Sequence, residues 1–296
     1  MKKGLSACEK RVLLCLWITA VIGLAAALWI FASCSPVIVS FLDVGQGDAC
    51  LLRAETGEAV LIDGGDSGEG ETLMGYFAVK NIDALDAVFV SHFHEDHSSG
   101  IAEILEAGFP VACIYTPYLE SGTEAEKRVL NAAERAGADV RRVSAGDQIQ
   151  LSGIEYHVLW PDKDSEVLDL NNMSMVLRTV YDGTTLLFTG DIEKTTADML
   201  AERYGEKLYS DVLKVPHHGS SSSVSPALME ACRPLWAVIS AGTGNQYGDP
   251  SDSMLRSLLE KKTGIWRTDR DGTVEMTLGR DAVKNVRRAE DKWRND

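Results

Sequence analysis

The sequence predicts a layered α/β domain over residues 36–279, preceded by an apolar segment. Two observations carry this prediction. Short apolar runs of strand length alternate with amphipathic helical segments throughout this range. The alternation forms two successive blocks, 37–140 and 141–279, which is typical of two sheets packed face to face with helices outside. Because no repeat, low-complexity stretch or linker interrupts the pattern, we expect a single domain.

The first block begins with strand-like runs separated by Gly-containing turns. The predicted strands lie at 37–42, 49–53, 60–62, 87–90 and 111–115. The predicted helices lie at 69–79, 98–107 and 124–136. The middle helix has Ile101, Ile104 and Leu105 at the spacing of a buried face, and Gly137 ends the last one.

The second block is richer in strands. They are predicted at 149–151, 156–160, 174–181, 185–189, 212–215 and 236–240, with helices at 193–204, 226–232 and 251–261. A hairpin is predicted over 265–278, with its turn at Asp271-Gly272. The charged residues 280–296 are expected to form a frayed C-terminal tail.

The N-terminal segment, residues 1–35, is predicted to be a membrane anchor or a signal segment. Val12–Ser33 contains no charge and follows Lys2, Lys3, Lys10 and Arg11. About 20 apolar residues suffice for a transmembrane helix, and a basic flank stays on the cytoplasmic side. The residues before Cys34 also resemble a lipoprotein cleavage box, and a buried helix is the third alternative. The first two alternatives tether the domain to a membrane.

Charge and cysteine content narrow the classes of partner and site. The 296 residues include 44 Asp plus Glu against 29 Lys plus Arg, a net charge of −15. This balance argues against a generally basic nucleic-acid surface, so a polyanion would need metal ions or a local patch such as Lys261, Lys262, Arg267 and Arg270. The six cysteines form no Cys-x-x-Cys pair, which argues against a structural zinc site built on thiolates.

Residues 91–100 read SHFHEDHSSG and directly follow a predicted buried strand. On an extended segment the side chains at i and i+2 point the same way, so His92 and His94 can bind one ion. The following turn directs Asp96 and His97 towards a second ion. Nitrogen and oxygen ligands without sulfur suit Zn²⁺ or Mn²⁺, and two ions about 3.5–4 Å apart can activate water and hold a phosphate. The alternative is a run of surface histidines with Asp96 capping a helix.

Two further places carry candidate site residues. Asp191 ends an apolar strand, and its alternative role is to cap the helix that follows. His217 and His218 end another strand; one can bind a metal while the other contacts phosphate or protonates a leaving oxygen, and the sequence leaves open which does which. The predicted catalytic residues are Asp96, His217 and His218. The predicted metal ligands are His92, His94, Asp96, His97, Asp191, His217 and Asp249.

Seven motifs in order carry a resemblance to a known family. They are Phe41–Asp48 (FLDVGQGD), Ile62–Gly65 (IDGG), Ser91–His97 (SHFHEDH), Asn171–Ser174 (NNMS), Leu187–Asp191 (LFTGD), Leu213–Ser220 (LKVPHHGS) and Asn245–Pro250 (NQYGDP). Together they resemble the metallo-β-lactamase fold family of hydrolases, and within it the extracellular nuclease-like domain of the ComEC competence proteins. The channel-forming membrane region of ComEC has no counterpart in the sequence, so we expect a stand-alone relative.

This resemblance implies a four-layer αβ/βα sandwich, with two zinc or manganese ions held by loops at one edge of the sheets. It also implies that Asp191 bridges both ions. Two positions depart from the family pattern. Many members of the family supply a third histidine to the ion of His92 and His94, from between the His-x-His cluster and the bridging Asp. His157 is the sole histidine in that interval here, and a structural role is favoured for it because it alternates with hydrophobic residues. Asp249 stands where the family has His before Pro, and we expect it near the site although an ionised carboxylate cannot donate a proton.

Two other residues of these motifs, Asp48 and Lys214, have simple structural interpretations. Asp48 either shapes the site or belongs to a plain hairpin turn with Gly45-Gln46-Gly47, and Lys214 is interpreted as a charge on the face of a strand.

Our leading hypothesis is a membrane-tethered, metal-dependent phosphodiesterase or nuclease that acts on DNA. Its expected location is the cell membrane, with a single-pass or lipoprotein anchor and the catalytic domain outside. One alternative keeps hydrolysis and changes the substrate to a small phosphoester or another ester. The other is a non-catalytic metal-binding or DNA-binding module of an uptake apparatus. The sequence identifies no protein partner.

Overall fold

The structure, a computed structural model, describes residues 7–32, 36–166 and 169–289. The chain divides into two units, with the division between residues 35 and 36. The first unit contains helix α1 (Ala7–Ala32). In the part of the chain that the structure describes, no helix is long and apolar enough to cross a membrane, so the expected transmembrane helix is not confirmed. The candidate cleavage position at Cys34 lies outside the described residues.

Two sheets form the centre of the second unit. Within the described residues one sheet has eight strands, in the order β15-β14-β1-β2-β3-β4-β5-β6. Its strands are β1 (Val37–Phe41), β2 (Cys50–Ala54), β3 (Ala59–Ile62), β4 (Ala87–Phe89), β5 (Cys113–Pro117), β6 (Asp139–Val143), β14 (Val274–Gly279) and β15 (Ala282–Arg288). The other has the order β13-β12-β11-β10-β9-β8-β7. Its strands are β7 (Gln148–Leu151), β8 (Ile154–Trp160), β9 (Val176–Tyr181), β10 (Thr184–Phe188), β11 (Val212–Lys214), β12 (Trp236–Ile239) and β13 (Gly264–Arg267).

The helices cover the outer faces of the two sheets. The first sheet carries α2 (Glu69–Val79), α3 (Glu95–Glu106) and α4 (Glu124–Ala136); the second carries α5 (Lys194–Tyr204), α6 (Pro226–Cys232) and α7 (Asp252–Glu260). An apolar cluster fills the space between the sheets, where Phe89 stacks on Tyr156 with ring centroids 4.9 Å apart. The layers therefore run helix, sheet, sheet, helix, as expected for a layered α/β sandwich.

Parallel strands bring the motif residues to one edge of this sandwich. In the first sheet β3, β4 and β5 run parallel, and in the second β10, β11 and β12 do. Asp63 follows β3, the histidine cluster follows β4, Asp191 follows β10 and the histidine pair follows β11. Ligands in α/β proteins bind beyond the carboxyl ends of parallel strands, so the fold itself brings these residues together.

Several local predictions differ from the structure, and strand β6 was not predicted. Helix α3 begins at Glu95, not at residue 98, so Asp96 and His97 lie in its first turn. The predicted hairpin over 265–278 is wrong, because β13 pairs with β12 in one sheet and β14 pairs with β1 in the other, with the short helix α8 (Thr268–Asp271) between them. Residues 282–288 form β15 and pair with β14, where Val283 and Val286 pack against the core, although a frayed tail was expected there.

Candidate active site

An open cleft of about 730 Å³ lies where loops from both sheets meet. It is lined by Gln46, Asp66, His94, Glu95, Asp96, Asn171, Asp191, His217, His218, Ser220, Asn245, Gln246, Tyr247 and Asp249. Most of the predicted site residues are in this set. The other two, His92 and His97, are buried and lie close to the lining residues. The structure therefore brings all of the sequence-predicted site residues into one region.

Four side chains form a compact cluster at the cleft. The ligand atoms of Asp96, His97, Asp191 and His218 all lie within 4.8 Å of one another. The Nε2 atom of His97 is 3.3 Å from Asp191 Oδ2. The Nε2 atom of His218 is 3.2 Å from Asp96 Oδ2 and 3.4 Å from Asp191 Oδ2. Two nitrogens and two carboxylates from separate parts of the chain thus point at a common centre.

The unpaired polar atoms of this cluster show that its residues fit a divalent ion. The Nε2 atoms of His97 and His218 and the Oδ1 atom of Asp191 are buried and have no hydrogen-bond partner among the described residues. Leaving such atoms unpaired is costly, typically about 1–3 kcal/mol for each group. A divalent ion accepts electron pairs from all of them at once, and this nitrogen and oxygen ligand set suits zinc or manganese.

The opposite ring nitrogens of both histidines are anchored. His97 Nδ1 lies 3.0 Å from Asp63 Oδ2, and His218 Nδ1 lies 3.1 Å from the Ser240 carbonyl oxygen. Asp63 is held in turn by the Ser91 amide, which donates to its Oδ1 at 2.7 Å. A proton held at Nδ1 leaves the lone pair of Nε2 facing the cluster, and this is how metal-binding histidines are usually oriented.

A glycine contact sets the position of α3 and hence of Asp96 and His97. The Gly64 amide donates to the His97 carbonyl oxygen at 2.7 Å. A Cβ atom on Gly100 would lie 2.0 Å from the Gly64 carbonyl oxygen, which no side chain tolerates. The first turns of α3 can therefore approach the loop that carries Asp63 only because Gly100 has no side chain.

His92 and His94 form a second, smaller group. His92 Nε2 lies 2.9 Å from His94 Nδ1, close enough for both to bind one ion with bonds of about 2.0–2.1 Å. His92 Nδ1 is 3.2 Å from Ser174 Oγ, and the same hydroxyl accepts a hydrogen bond from the Asp191 amide at 2.9 Å. Ser174 thus ties His92 to the segment of Asp191.

No third histidine joins this pair among the described residues. His157 lies on β8, and its Nε2 is 3.1 Å from Glu155 Oε2, which fits the structural role favoured by the sequence. Asn172 is engaged at the start of α5, where its Oδ1 accepts from the Glu193 amide and the Thr196 hydroxyl. An ion bound by His92 and His94 would therefore have fewer nitrogen ligands than the family pattern implies.

The adjacent histidines 217 and 218 take different positions. Both have left-handed backbone angles, with φ of 49° and 52°, which direct the two side chains apart. His218 is buried in the four-residue cluster, although of this pair only His217 is among the predicted metal ligands. His217 faces the cleft, with Nε2 3.9 Å from Asp191 Oδ2 and Nδ1 3.4 Å from Ser222 Oγ.

Asp249 lies on the cleft but outside the four-residue cluster. Asn245 fixes its backbone: Asn245 Nδ2 donates to the Asp249 carbonyl oxygen at 2.6 Å, and Asn245 Oδ1 accepts from the Asp249 amide at 3.1 Å. Burial raises the pKa of the Asp249 carboxyl group, although His218 and His217 oppose this effect. The expectation that Asp249 lies near the site agrees with this placement.

A buried ion pair lies behind the histidines. Lys214 is 4% exposed, pairs with Asp48, and donates to the Val215 carbonyl oxygen at 3.0 Å. Asp48 Oδ1 is 3.5 Å from His218 Nδ1, and Asp48 Oδ2 is 3.9 Å from His97 Nδ1. Burial disfavours the Asp48 carboxylate, but Lys214, His218 and His97 outweigh it and hold the Asp48 pKa well below its usual range.

Sequence reasoning missed the roles of Lys214 and Asp63, and it left the role of Asp48 open. The sequence did contain a signal for Lys214, because it is a charged residue inside an apolar strand. Lysine is almost never fully buried without a partner, so such a position predicts a buried partner. The interpretation of Lys214 as a simple strand-face charge does not agree with its burial.

The carboxylates and histidines of the cluster shift each other's pKa values. Burial disfavours the protonated rings of His97 and His218, but the surrounding carboxylates, with Asp191 foremost, raise both pKa values well above 6.5. Burial likewise works against the charged form of Asp96, but His97 and His218 lower its pKa to about 2. Carboxylates that favour positive charge on two histidines favour a divalent cation in the same place.

Comparison with known proteins agrees with this geometry. Residues 42–231 match the metallo-beta-lactamase superfamily. The chain is 31% identical over 255 residues to ComE operon protein 3 of Bacillus subtilis (strain 168), covering 80% of this chain and 32% of that protein. It is 30% identical over 250 residues to competence protein ComA of Neisseria gonorrhoeae, covering 84% of this chain and 33% of that protein. The chain therefore spans about a third of the length of these ComEC-like competence proteins.

A solved structure shows the same fold. CmlA, a diiron β-hydroxylase from Streptomyces venezuelae, superposes with a TM-score of 0.53 at 14% identity, covering 82% of this chain and 54% of that one. At this identity the likeness concerns the fold alone. The match over residues 42–231 shows the family, and the two histidine motifs at one edge of the sheets agree with it: the chain belongs to the metallo-β-lactamase superfamily.

Proposed function

We propose that this protein is a metal-dependent phosphodiesterase that hydrolyses DNA. The observation that carries the proposal is the cluster of Asp96, His97, Asp191 and His218, whose unpaired nitrogen and oxygen atoms converge at an open cleft. Members of this superfamily are typically metal-dependent hydrolases. The choice of DNA is supported by the relatives, which are named as competence proteins.

The proposed ligands divide between two ions, zinc or manganese. Asp96, His97, Asp191 and His218 would hold one, and His92 and His94 would hold the other with Asp191, whose two carboxylate oxygens allow it to contact both. When bound, such ions activate water and neutralise charge on a phosphoryl group. The protein's own contribution is to fix the ligands, through Asp63, Ser240 and Ser174.

His217 is the proposed proton donor to the leaving oxygen. Its ring lies on the cleft, with Nδ1 close to Ser222 and Glu193 and Nε2 3.9 Å from Asp191 Oδ2, beside the proposed metal ligands. A histidine within hydrogen-bonding reach of a leaving group can speed a reaction by about 10²–10⁴-fold. We do not assign proton donation to Asp249. We propose instead that Asp249 contacts the substrate or a metal ion from the loop of residues 245–250.

A small phosphoester is the second candidate substrate, because of the charge of the cleft. Among the described residues that line it, none is lysine or arginine, while Asp66, Glu95 and Asp249 add negative charge. This favours a small substrate held mainly by the metal ions. The size of the cleft, about 730 Å³, and the competence relatives favour DNA.

We further propose that residues 1–35 tether the domain to a membrane, with the hydrolase domain outside. The uncharged segment Val12–Ser33 supports this, as do the exposed apolar side chains of Leu13, Leu16, Trp17 and Ile22 on α1. Fractionation of cells that express the full chain tests it. The protein should be recovered with membranes and be degraded by protease added to intact cells; recovery in the cytosolic fraction would contradict the tether.

The catalytic proposal is tested with the full chain in detergent, stripped of metal by a chelator and then loaded with Zn²⁺ or Mn²⁺. Turnover of single-stranded DNA, duplex DNA and bis(p-nitrophenyl) phosphate is measured for the wild type, His218→Ala and His157→Ala. We expect metal-dependent DNA hydrolysis that His218→Ala abolishes. The matched control His157→Ala removes a histidine outside the cluster and should retain activity. Absence of turnover with either metal would overturn the proposal, and turnover of the small ester alone would favour the second candidate.

A further inference from the structure

Tyr247 is a large aromatic side chain left exposed on the lining of the cleft. It is 67% exposed. Within the described residues, no hydrogen bond or ring contact engages its phenol ring. An aromatic face that contacts nothing in the protein, beside a candidate catalytic centre, is available to a ligand.

The loop that carries Tyr247 is held in place. The Oδ1 atom of Asn245 accepts hydrogen bonds from the amides of Tyr247 and Asp249, both at 3.1 Å. The amide of Gly242 donates to Gln46 Oε1 at 2.9 Å, which ties this loop to the turn between β1 and β2. The backbone that presents the ring is therefore restrained, and little ordering is required when a ligand binds.

The charge of the cleft makes base contacts more important than backbone contacts. Proteins usually hold nucleic acids through lysine and arginine contacts to phosphates. Among the described residues that line this cleft, no such side chain occurs. Away from the metal cluster, a strand bound here has few favourable contacts for its phosphates, so stacking of a base on an aromatic face is the available source of affinity.

We infer that Tyr247 is a stacking site for an unpaired nucleobase of the strand that is cleaved at the metal cluster. This inference rests on the proposed function and narrows its substrate to single-stranded DNA. In a duplex each base face is covered by its neighbours, so a ring on the rim of the cleft has no face to stack on. A single strand exposes base faces without prior unpairing.

The test measures binding and needs no turnover. Fluorescence anisotropy of a 5′-labelled 12-mer of thymidine is recorded with the full chain in detergent and excess chelator, for wild type, Tyr247→Ala and Tyr247→Phe. A 12-mer in which the central bases are replaced by abasic sites, and a 12-base-pair duplex, are measured in parallel. The matched control Tyr118→Ala removes another exposed tyrosine, which does not line the cleft.

We expect Tyr247→Ala to weaken binding of the thymidine strand roughly tenfold, whereas Tyr247→Phe and Tyr118→Ala remain within about twofold of the wild type. The abasic strand should bind wild type and Tyr247→Ala equally. Equal binding of the intact strand by wild type and Tyr247→Ala would overturn the inference, as would wild-type binding that does not depend on bases. If base-dependent binding is lost in Tyr247→Ala but no DNA is hydrolysed with any metal, the stacking site stands and the proposed function fails.

Discussion

Lys214 and Asp48 form a buried ion pair directly behind the two histidines of the metal-binding cluster. Both side chains are almost fully buried, and Asp48 reaches towards the Nδ1 atoms of His97 and His218. Removing one charge of a buried pair leaves the other uncompensated, and this typically costs about 3–5 kcal/mol. The pair therefore links the stability of the domain to the placement of its candidate metal ligands.

Replacing Lys214 alone tests this link. Lys214→Met should lower the free energy of unfolding by about 3–5 kcal/mol, because Asp48 is left buried without its cation. The double variant Lys214→Met/Asp48→Asn should recover part of this loss, since no charge is then unpaired. Chemical denaturation measures both. Lys127→Met, which breaks the exposed pair with Glu124, serves as the control and should change stability by less than about 1 kcal/mol. Equal effects of the buried and exposed substitutions would show that Lys214 is not paired as described.

Asp63 is expected to act on metal binding through His97. Asp63→Asn keeps the size of the side chain but removes the negative charge that favours a proton on His97 Nδ1, which lies 3.0 Å from Asp63 Oδ2. Loss of such an orienting contact typically weakens metal binding about 10–100-fold. Competition with a chromogenic chelator measures the affinity for Zn²⁺. Asp86→Asn, at a carboxylate that accepts from the Ala59 amide at the opposite end of β3, is the control and should leave metal affinity unchanged. Unchanged affinity in Asp63→Asn would contradict the orienting role.

Metal binding should strengthen as the pH rises. The pKa values of His97 and His218 lie well above 6.5 because carboxylates surround both rings, so an ion must displace protons from them near neutral pH. Calorimetric titrations of Zn²⁺ in buffers of different ionisation enthalpy measure the proton release directly. Release of protons and tighter binding at higher pH are expected. Metal binding without proton release would show that these rings are already neutral.

The same shifts predict how the metal-free protein responds to pH. A pKa raised in the folded state contributes stability that is fully present below the unfolded value of about 6.5 and is lost as the pH rises through the folded value. The metal-free protein should therefore become less stable as the pH rises above neutral, and the metal-loaded protein should not. Thermal unfolding between about pH 6 and pH 9 measures this difference. Parallel curves with and without metal would contradict it.

Local spacing made part of this site predictable. His92, His94, Asp96 and His97 lie within six residues just after a buried strand, so short-range geometry groups them, and strand alternation directs His92 and His94 the same way. The ends of two further apolar strands indicated Asp191 and the histidine pair at 217 and 218, and the family resemblance agreed with them. The different positions of His217 and His218 depend on two left-handed backbone conformations that no sequence pattern specifies.

Long-range contacts were not predictable in this way. Asp63 meets His97 from 34 residues away, and Lys214 meets Asp48 across the interface of the two sheets. The Asp271-Gly272 turn signal correctly marks the end of one strand region and the start of the next. Which sheet each flanking strand joins depends on its pairing with β12 or β1, which are distant in sequence. The predicted hairpin failed for this reason.

The central claim is that Asp96, His97, Asp191 and His218 enclose a divalent ion. Crystals of the protein grown with Mn²⁺ and measured for anomalous scattering test it most directly. The account predicts a strong anomalous peak between these four side chains, and a second one beside His92 and His94. A metal-saturated protein whose anomalous peaks lie away from this cluster would contradict it.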